Sequence, residues 1–290
     1  MVHRIRTADA FPTSWARTGE HRFTVTAVLP HDHSFFAPVH GDRHDPLLLA
    51  ETMRQSAMLV FHAGYGVPLD YHFLMASLDC TSRPEGLAVG TGPTEVEVEV
   101  VCSALKWRGG RPFQGRVDWV VRRSGAVVAT GVGVTRFTSP PVYRRMRGDQ
   151  GLAPPPAGPV ALPPAARTGR ARADDVVLSE TAQENVWQLR VDTTHSTLFQ
   201  RPNDHVPGML LLEAARQAAG IATAPSAFVP ATVSTRFHRY AEFDRPCWVQ
   251  AHVTGGGTPE TTSVRVTGSQ DDALVFSAVL SGPAVTDSPS

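Results

Sequence analysis

HSFFAPVHGDRHDPLLLAETMRQ (33–55) and HSTLFQRPNDHVPGMLLLEAARQ (195–217) are one pattern written twice, the second 162 positions after the first. Each opens on His-Ser, reaches a glutamate 18 positions later and closes on Glu-x-x-Arg-Gln inside an apolar run. Glu51, Arg54 and Gln55 recur as Glu213, Arg216 and Gln217. A repeat this long signals two copies of a domain rather than a solenoid of short units.

Working outward, each copy predicts the same order of elements. In the first, 22–29 alternates as a strand and a His-rich loop (31–44) follows. A helix runs from Asp45 to about Ala63, with Pro46 in its first turn and Gly64 and Gly66 at its end. Strands are expected at 71–80 and at 94–103, where TEVEVEVVCS alternates strictly, and a hairpin joins 114–123 to 126–137 around Ser124-Gly125. The second copy predicts a strand at 185–191, a helix at 207–223 and strands at 232–237, 248–254, 262–269 and 273–281. One strand, a long apolar helix and a set of antiparallel strands is the order of a hotdog fold. The expectation is an α+β tandem double hotdog, each copy a curved antiparallel sheet around a central helix, the two pairing as an intrachain pseudo-dimer. The domain limits expected are 1–147 and 175–290. Residues 148–174 carry Pro154, Pro155, Pro156, Pro159, Pro163 and Pro164 among Ala and Gly, and read as an extended linker.

On a helix, positions i, i+3 and i+4 share a face, so each Glu-Arg-Gln triplet lies together amid leucine and methionine. One reading is an ion pair on a solvated stripe. The other is a site, favoured because the triplet occurs twice in helices otherwise free of charge. There Glu51 and Glu213, partly desolvated and raised in pKa, serve as general bases. Arg54 and Arg216 offer a fork for phosphate or carboxylate, Gln55 and Gln217 orient a carbonyl, and backbone N–H groups near Gly208 hold an oxyanion. His44 and His205 each stand two residues before a helix-opening proline, placed either to bond into the turn or to reach the glutamate's cavity. His33 and His195 read as turn-forming. His31-x-His33 has metal-pair spacing, but the second copy lacks it, so no metal is expected.

Composition narrows the partners. The 290 residues carry zero formal net charge, and Lys106 is the only lysine, so nothing favours nucleic acid or an anionic membrane surface. Cys80, Cys102 and Cys247 are odd in number and lack ligand spacing, which points to a reducing cytoplasm. No segment has the apolar length of a signal peptide or a membrane span.

Pro207-Gly208-Met209-Leu210-Leu211-Leu212-Glu213-Ala214 resembles the helix start of β-hydroxyacyl-carrier-protein dehydratases and sets Glu213 on their catalytic glutamate. The dehydratase histidine would fall at Phe199, which argues against dehydration. A closer resemblance covers nearly the whole chain. Both repeated stretches, with RTGEHRFTV (17–25), resemble the A-factor biosynthesis hotdog proteins of filamentous actinobacteria, which make γ-butyrolactone, butenolide or furan signalling molecules. That resemblance implies a cofactor-free acyltransferase. It condenses a β-ketoacyl thioester, on carrier protein or coenzyme A, with dihydroxyacetone phosphate. Glu213 would be the base with Glu51 as its partner, and Arg216 and Arg54 would clamp the triose phosphate. A hotdog thioester hydrolase or dehydratase and a non-catalytic acyl-binding regulator remain as alternatives, and pairing of two chains is left open.

Overall fold

The computed structural model describes residues 1–37, 43–148, 161–255 and 261–283. The chain divides into two compact units, Met1–Gln150 and Gly151–Ser290.

The first unit runs β1 (Pro12–Arg17), β2 (Arg22–Leu29), α1 (Pro46–Leu59), β3 (His72–Ser82), β4 (Thr94–Arg108), β5 (Arg111–Arg123), β6 (Ala126–Thr138) and α2 (Pro140–Arg147). Its strands lie in the order β1-β2-β4-β5-β6-β3, every neighbour antiparallel. The second unit runs β7 (Leu178–Glu180), β8 (Val186–Leu189), α3 (Gly208–Ala222), β9 (Thr232–Phe237), β10 (Trp248–Gly255), β11 (Thr261–Gln270) and β12 (Ala273–Pro283). Its order, β7-β8-β10-β11-β12-β9, repeats the topology of the first unit strand for strand.

Alternation drives the sheets. Phe23, Val25, Ala27 and Leu29 of β2 and Val96, Val98, Val100 and Cys102 of β4 are all buried, while the residues between them face outward. Ser124 and Gly125 turn the β5–β6 hairpin with positive φ at both positions. α1 contacts β1 at one sheet edge and β3 at the other. Six strands spaced about 4.8 Å apart span more than the width of one helix, so the sheet must curve around α1.

α1 is buried on nearly every face, from Leu47, Leu48 and Leu49 to Met58 and Leu59, and so shows no amphipathic stripe. Each such leucine contributes about 1.5–3 kcal/mol by leaving water. The Asp45 carboxylate caps the helix by accepting from the Leu47 N–H at 2.8 Å. The helix runs on into a π-helical turn, Val60–Gly64, which ends beneath β2. A Cβ at Gly64 would lie 2.7 Å from the Phe23 ring, so only glycine fits there.

Four elements differ from the sequence expectation, the short β7 among them, which lies ahead of the first strand expected in the second copy. β1 is exposed along most of its length, which removes the alternation that marks a strand. α2 follows two prolines and was not expected. The segment read as a linker is built into the second unit from residue 161 onward. It forms 3-10 turns at Ala165–Thr168 and Ala173–Asp175, with Thr168 and Arg170 buried. Pro154, Pro155, Pro156 and Pro159 lie outside the described residues, as does His40 of the His-rich loop.

The three cysteines are free and buried, and burial pushes each thiol up to about 12. Among the described residues no helix is long and apolar enough to cross a membrane, and no group of three or more His, Cys, Asp or Glu is arranged to hold a metal ion.

Candidate active site

Glu213 has no exposed surface and receives five hydrogen bonds. Arg170 donates from Nε at 2.8 Å and Nη2 at 2.7 Å, Arg216 from Nε at 2.9 Å and Nη2 at 2.7 Å, and Gln217 from Nε2 at 2.5 Å. Glu51 repeats the arrangement with five donors from Arg4, Arg54 and Gln55. The helix supplies one arginine and the glutamine at i+3 and i+4. The second arginine comes from the segment that precedes each unit's first strand. Both carboxylates therefore sit in a doubly forked, charge-assisted clamp.

The clamp reverses the expected pKa. Burial alone would raise each carboxyl, but two guanidiniums outweigh it and hold Glu51 and Glu213 at about 2. Glu213 accepts three of its bonds on Oε1 and two on Oε2, whereas Glu51 accepts four on Oε1 and one, from Arg54 Nε, on Oε2. The expectation of a raised pKa is corrected at both glutamates.

Gln55 and Gln217 are also consumed internally. Gln55 accepts from the Phe11 N–H and donates to the Asp9 carbonyl, and Gln217 accepts from the Val177 N–H and donates to the Asp175 carbonyl. They tie the segment before the sheet to the central helix and leave no amide face for a substrate carbonyl. Asp9 and Asp175 complete the repeat through their side chains. His33 Nε2 meets Asp9 at 3.0 Å while its Nδ1 accepts from the Phe35 and Phe36 N–H groups. His195 does the same with Asp175 and the N–H groups of Thr197 and Leu198. Two N–H groups pointing at Nδ1 put the ring proton on Nε2, which makes His-Ser a turn lock and removes His33 from any metal pair.

Sequence reading missed Arg4, Asp9, Arg170 and Asp175. They form a second repeat, Arg-x-Arg-x-x-Asp at 4–9 and 170–175, offset by 166 positions. The different offset hid it from a search at 162.

The histidines before the helices differ between units. His44 is buried, with Nε2 3.2 Å from Thr94 Oγ1, and is not among the partners of Glu51. Burial, then the charges of Arg123 and His31, lower it to about 4, so it is neutral at pH 7. His205 is partly exposed, and its Nδ1 lies 2.7 Å from Asp204 Oδ1 in a carboxylate–imidazole pair. It stands beside the start of α3, where Pro207 is the N-cap and no side chain caps the first-turn N–H groups, Gly208 among them. In α1 the Asp45 cap takes that place.

Arg54 also lines a half-open pocket in the first unit, together with Met58, Phe73, Met75, Val117 and Trp119 among others. Arg216 is less open: its side chain is 7% exposed, against 22% for Arg54.

Two curved sheets, each around one buried helix, in a single chain define a double hotdog protein. The fold is shared with a putative oleoyl thioesterase from Lactobacillus plantarum, at TM-score 0.57 and 10% identity over 91% of this chain and 97% of that one. It is shared also with the 12:0-ACP thioesterase from Umbellularia californica, at TM-score 0.56 and 13% identity over 90% and 94%. At such identities the likeness is one of fold alone. The sequence goes further: the family profile described as the A-factor biosynthesis hotdog domain matches residues 1–139 and 155–286, and the chain belongs to that family. A Streptomyces coelicolor protein named 2-oxo-3-(phosphooxy)propyl 3-oxoalkanoate synthase is 66% identical over 98% of this chain and 90% of its own length. Proteins of the same name from Streptomyces griseus and Streptomyces virginiae are 62% and 45% identical, over 98% and 97% of this chain and 94% and 95% of theirs.

Proposed function

We propose that this protein is an acyltransferase of the 2-oxo-3-(phosphooxy)propyl 3-oxoalkanoate synthase type. It moves the acyl group of a β-ketoacyl thioester to the primary hydroxyl of dihydroxyacetone phosphate. The observation that carries this reading is identity of 66% along almost the whole chain to a relative of that name. The product is the ester phosphate that precedes a butenolide or γ-butyrolactone signal.

The hydroxyl oxygen attacks the thioester carbonyl carbon, the C–S bond breaks, and the hydroxyl proton leaves with the thiolate as a thiol. We assign the proton transfer to His205, oriented by Asp204. This pair resembles other histidine bases in having a carboxylate on Nδ1, which leaves Nε2 as the basic nitrogen. The uncapped N–H groups at the start of α3, near Gly208, suit the negative oxygen of the tetrahedral intermediate. Glu51 and Glu213 are positioning residues, ionised at neutral pH, which fix Arg54 and Arg216 and lock each central helix to its unit. The acyl donor is a carrier protein or coenzyme A thioester.

The purified protein, mixed with a 3-oxoacyl thioester, tests the reading by mass spectrometry. Thiol release that requires dihydroxyacetone phosphate, with a new phosphorylated ester mass, supports the synthase. Release that ignores the triose makes it a hydrolase, and retention of the acyl ligand without release makes it a binding protein.

A further inference from the structure

We infer that the pocket of the first unit is an acyl-binding site in its own right, additional to the place where the thioester reacts, and that Arg54 reads the 3-oxo oxygen of a 3-oxoacyl ligand held there. The ligand class rests on the synthase reading; the site rests on an asymmetry between the two clamps.

In the second unit the clamp is roofed. Arg216 Nη2 donates to the Thr168 carbonyl at 3.1 Å, and Gly169 lies over the guanidinium so closely that a Cβ there would be 2.9 Å from Nη1. The turn Ala165–Thr168 lies against α3, its Arg167 carbonyl 3.6 Å from where a Cβ of Gly220 would sit. In the first unit the position matching Gly220 is Met58, and Arg54 is a wall of the pocket. Nε and Nη2 of Arg54 are spent on Glu51, while Nη1 has only the Met58 sulfur at 2.7 Å among the described residues. A thioether is a weak acceptor for a guanidinium N–H. β3 is bulged beside the pocket: Met75 pairs with Thr135 and Ser77 with Val134, so β3 carries one extra residue where Met75 and Ser77 line it.

The lining specifies the ligand. Met58, Met75, Phe73, Val117 and Trp119 suit an aliphatic chain, and the two methionines adapt to chains of different length. A ketone on that chain brings an acceptor into an apolar space and needs a donor there. Arg54 is the one charged residue of the lining. It presents a single edge, which fits a carbonyl oxygen and not the bidentate grip of a phosphate. Arg4 and Arg54 against Glu51 also leave the cluster one positive charge in excess, which favours the electron-rich oxygen of a 1,3-dicarbonyl.

The test is equilibrium binding, which does not require turnover. The probes are unreactive coenzyme A analogues with methylene in place of the thioester sulfur, with and without the 3-oxo group, at several chain lengths. Wild-type protein should prefer the 3-oxo analogue about ten- to a hundredfold, the usual worth of a hydrogen bond to a charged group. R54K should lose most of that preference. S77A should keep it. M75W should weaken the longest chains while leaving the 3-oxo preference unchanged. Preference retained in R54K, or lost in S77A, or a chain-length profile untouched by M75W, overturns the proposal. Should R54K or M75W fail to fold, the wild type still decides. A ¹³C-labelled 3-oxo carbon in the bound analogue should shift downfield from its free value, and an unshifted signal rejects the Arg54 contact. Tight, 3-oxo-selective binding without triose-dependent turnover would refute the synthase and leave this site standing. Turnover without 3-oxo selectivity would do the reverse.

Discussion

Replacing Glu213 by glutamine keeps the shape of the side chain and removes the charge that two buried guanidiniums share. Breaking a buried pair in this way costs about 3–5 kcal/mol. We expect E213Q, and E51Q in the first unit, to lower the urea midpoint by a matching amount, and activity to fall as a consequence. Activity lost at unchanged stability would instead restore a glutamate base. His205 should behave in the opposite manner. It is partly exposed, so H205N should leave the urea midpoint in place and lower kcat by about 10²–10⁴. A wild-type kcat in H205N would remove it from the mechanism. At this scale the sequence was half legible. The Glu-Arg-Gln triplets stood out because spacing puts them on one helix face. Their chemistry did not, because Arg4 and Arg170 come from the segment before each sheet, 47 and 43 positions from the glutamates they neutralise.

Elements were easier to read where burial alternates or a helix is apolar throughout. β2 and β9 fall on the limits their alternation predicts, and the helix expected at 207–223 is α3. β1 was invisible because it is an exposed edge, held by its backbone pairing with β2 and not by a buried face. The stretch before β7 was misread for a related reason. Its proline, alanine and glycine content has no core-forming pattern, yet one arginine in it finds a buried anion. Gly169 lets that stretch close over Arg216, with φ of +67° and no room for a side chain. G169V should therefore strain the turn and displace Arg216, lowering the midpoint by about 1–3 kcal/mol. A midpoint equal to wild type would show that the turn is dispensable to the clamp.

Across the molecule, three buried titrations point the same way. His44 takes a proton at about 6.5 unfolded but only at about 4 when folded, so stability falls as the pH drops through that interval. Glu51 and Glu213 go from 4.5 unfolded to about 2 folded, so their contribution is complete above 4.5 and is lost as the pH falls towards 2. Thermal melting should show a mild loss of Tm between pH 6.5 and 4 and a steeper one below 4.5. H44Q should flatten the first stage and spare the second. A first stage that persists in H44Q would assign it to another group.

Arg4 also bears on how such a protein should be handled. A preparation that lacked residues 1–4 would keep every strand and helix intact in sequence. It would nonetheless strand the Glu51 carboxylate with one arginine instead of two, deep inside the fold. Mass loss of a few hundred daltons would then be read out as a wholesale change in melting behaviour. Intact-mass verification belongs ahead of any comparison between preparations.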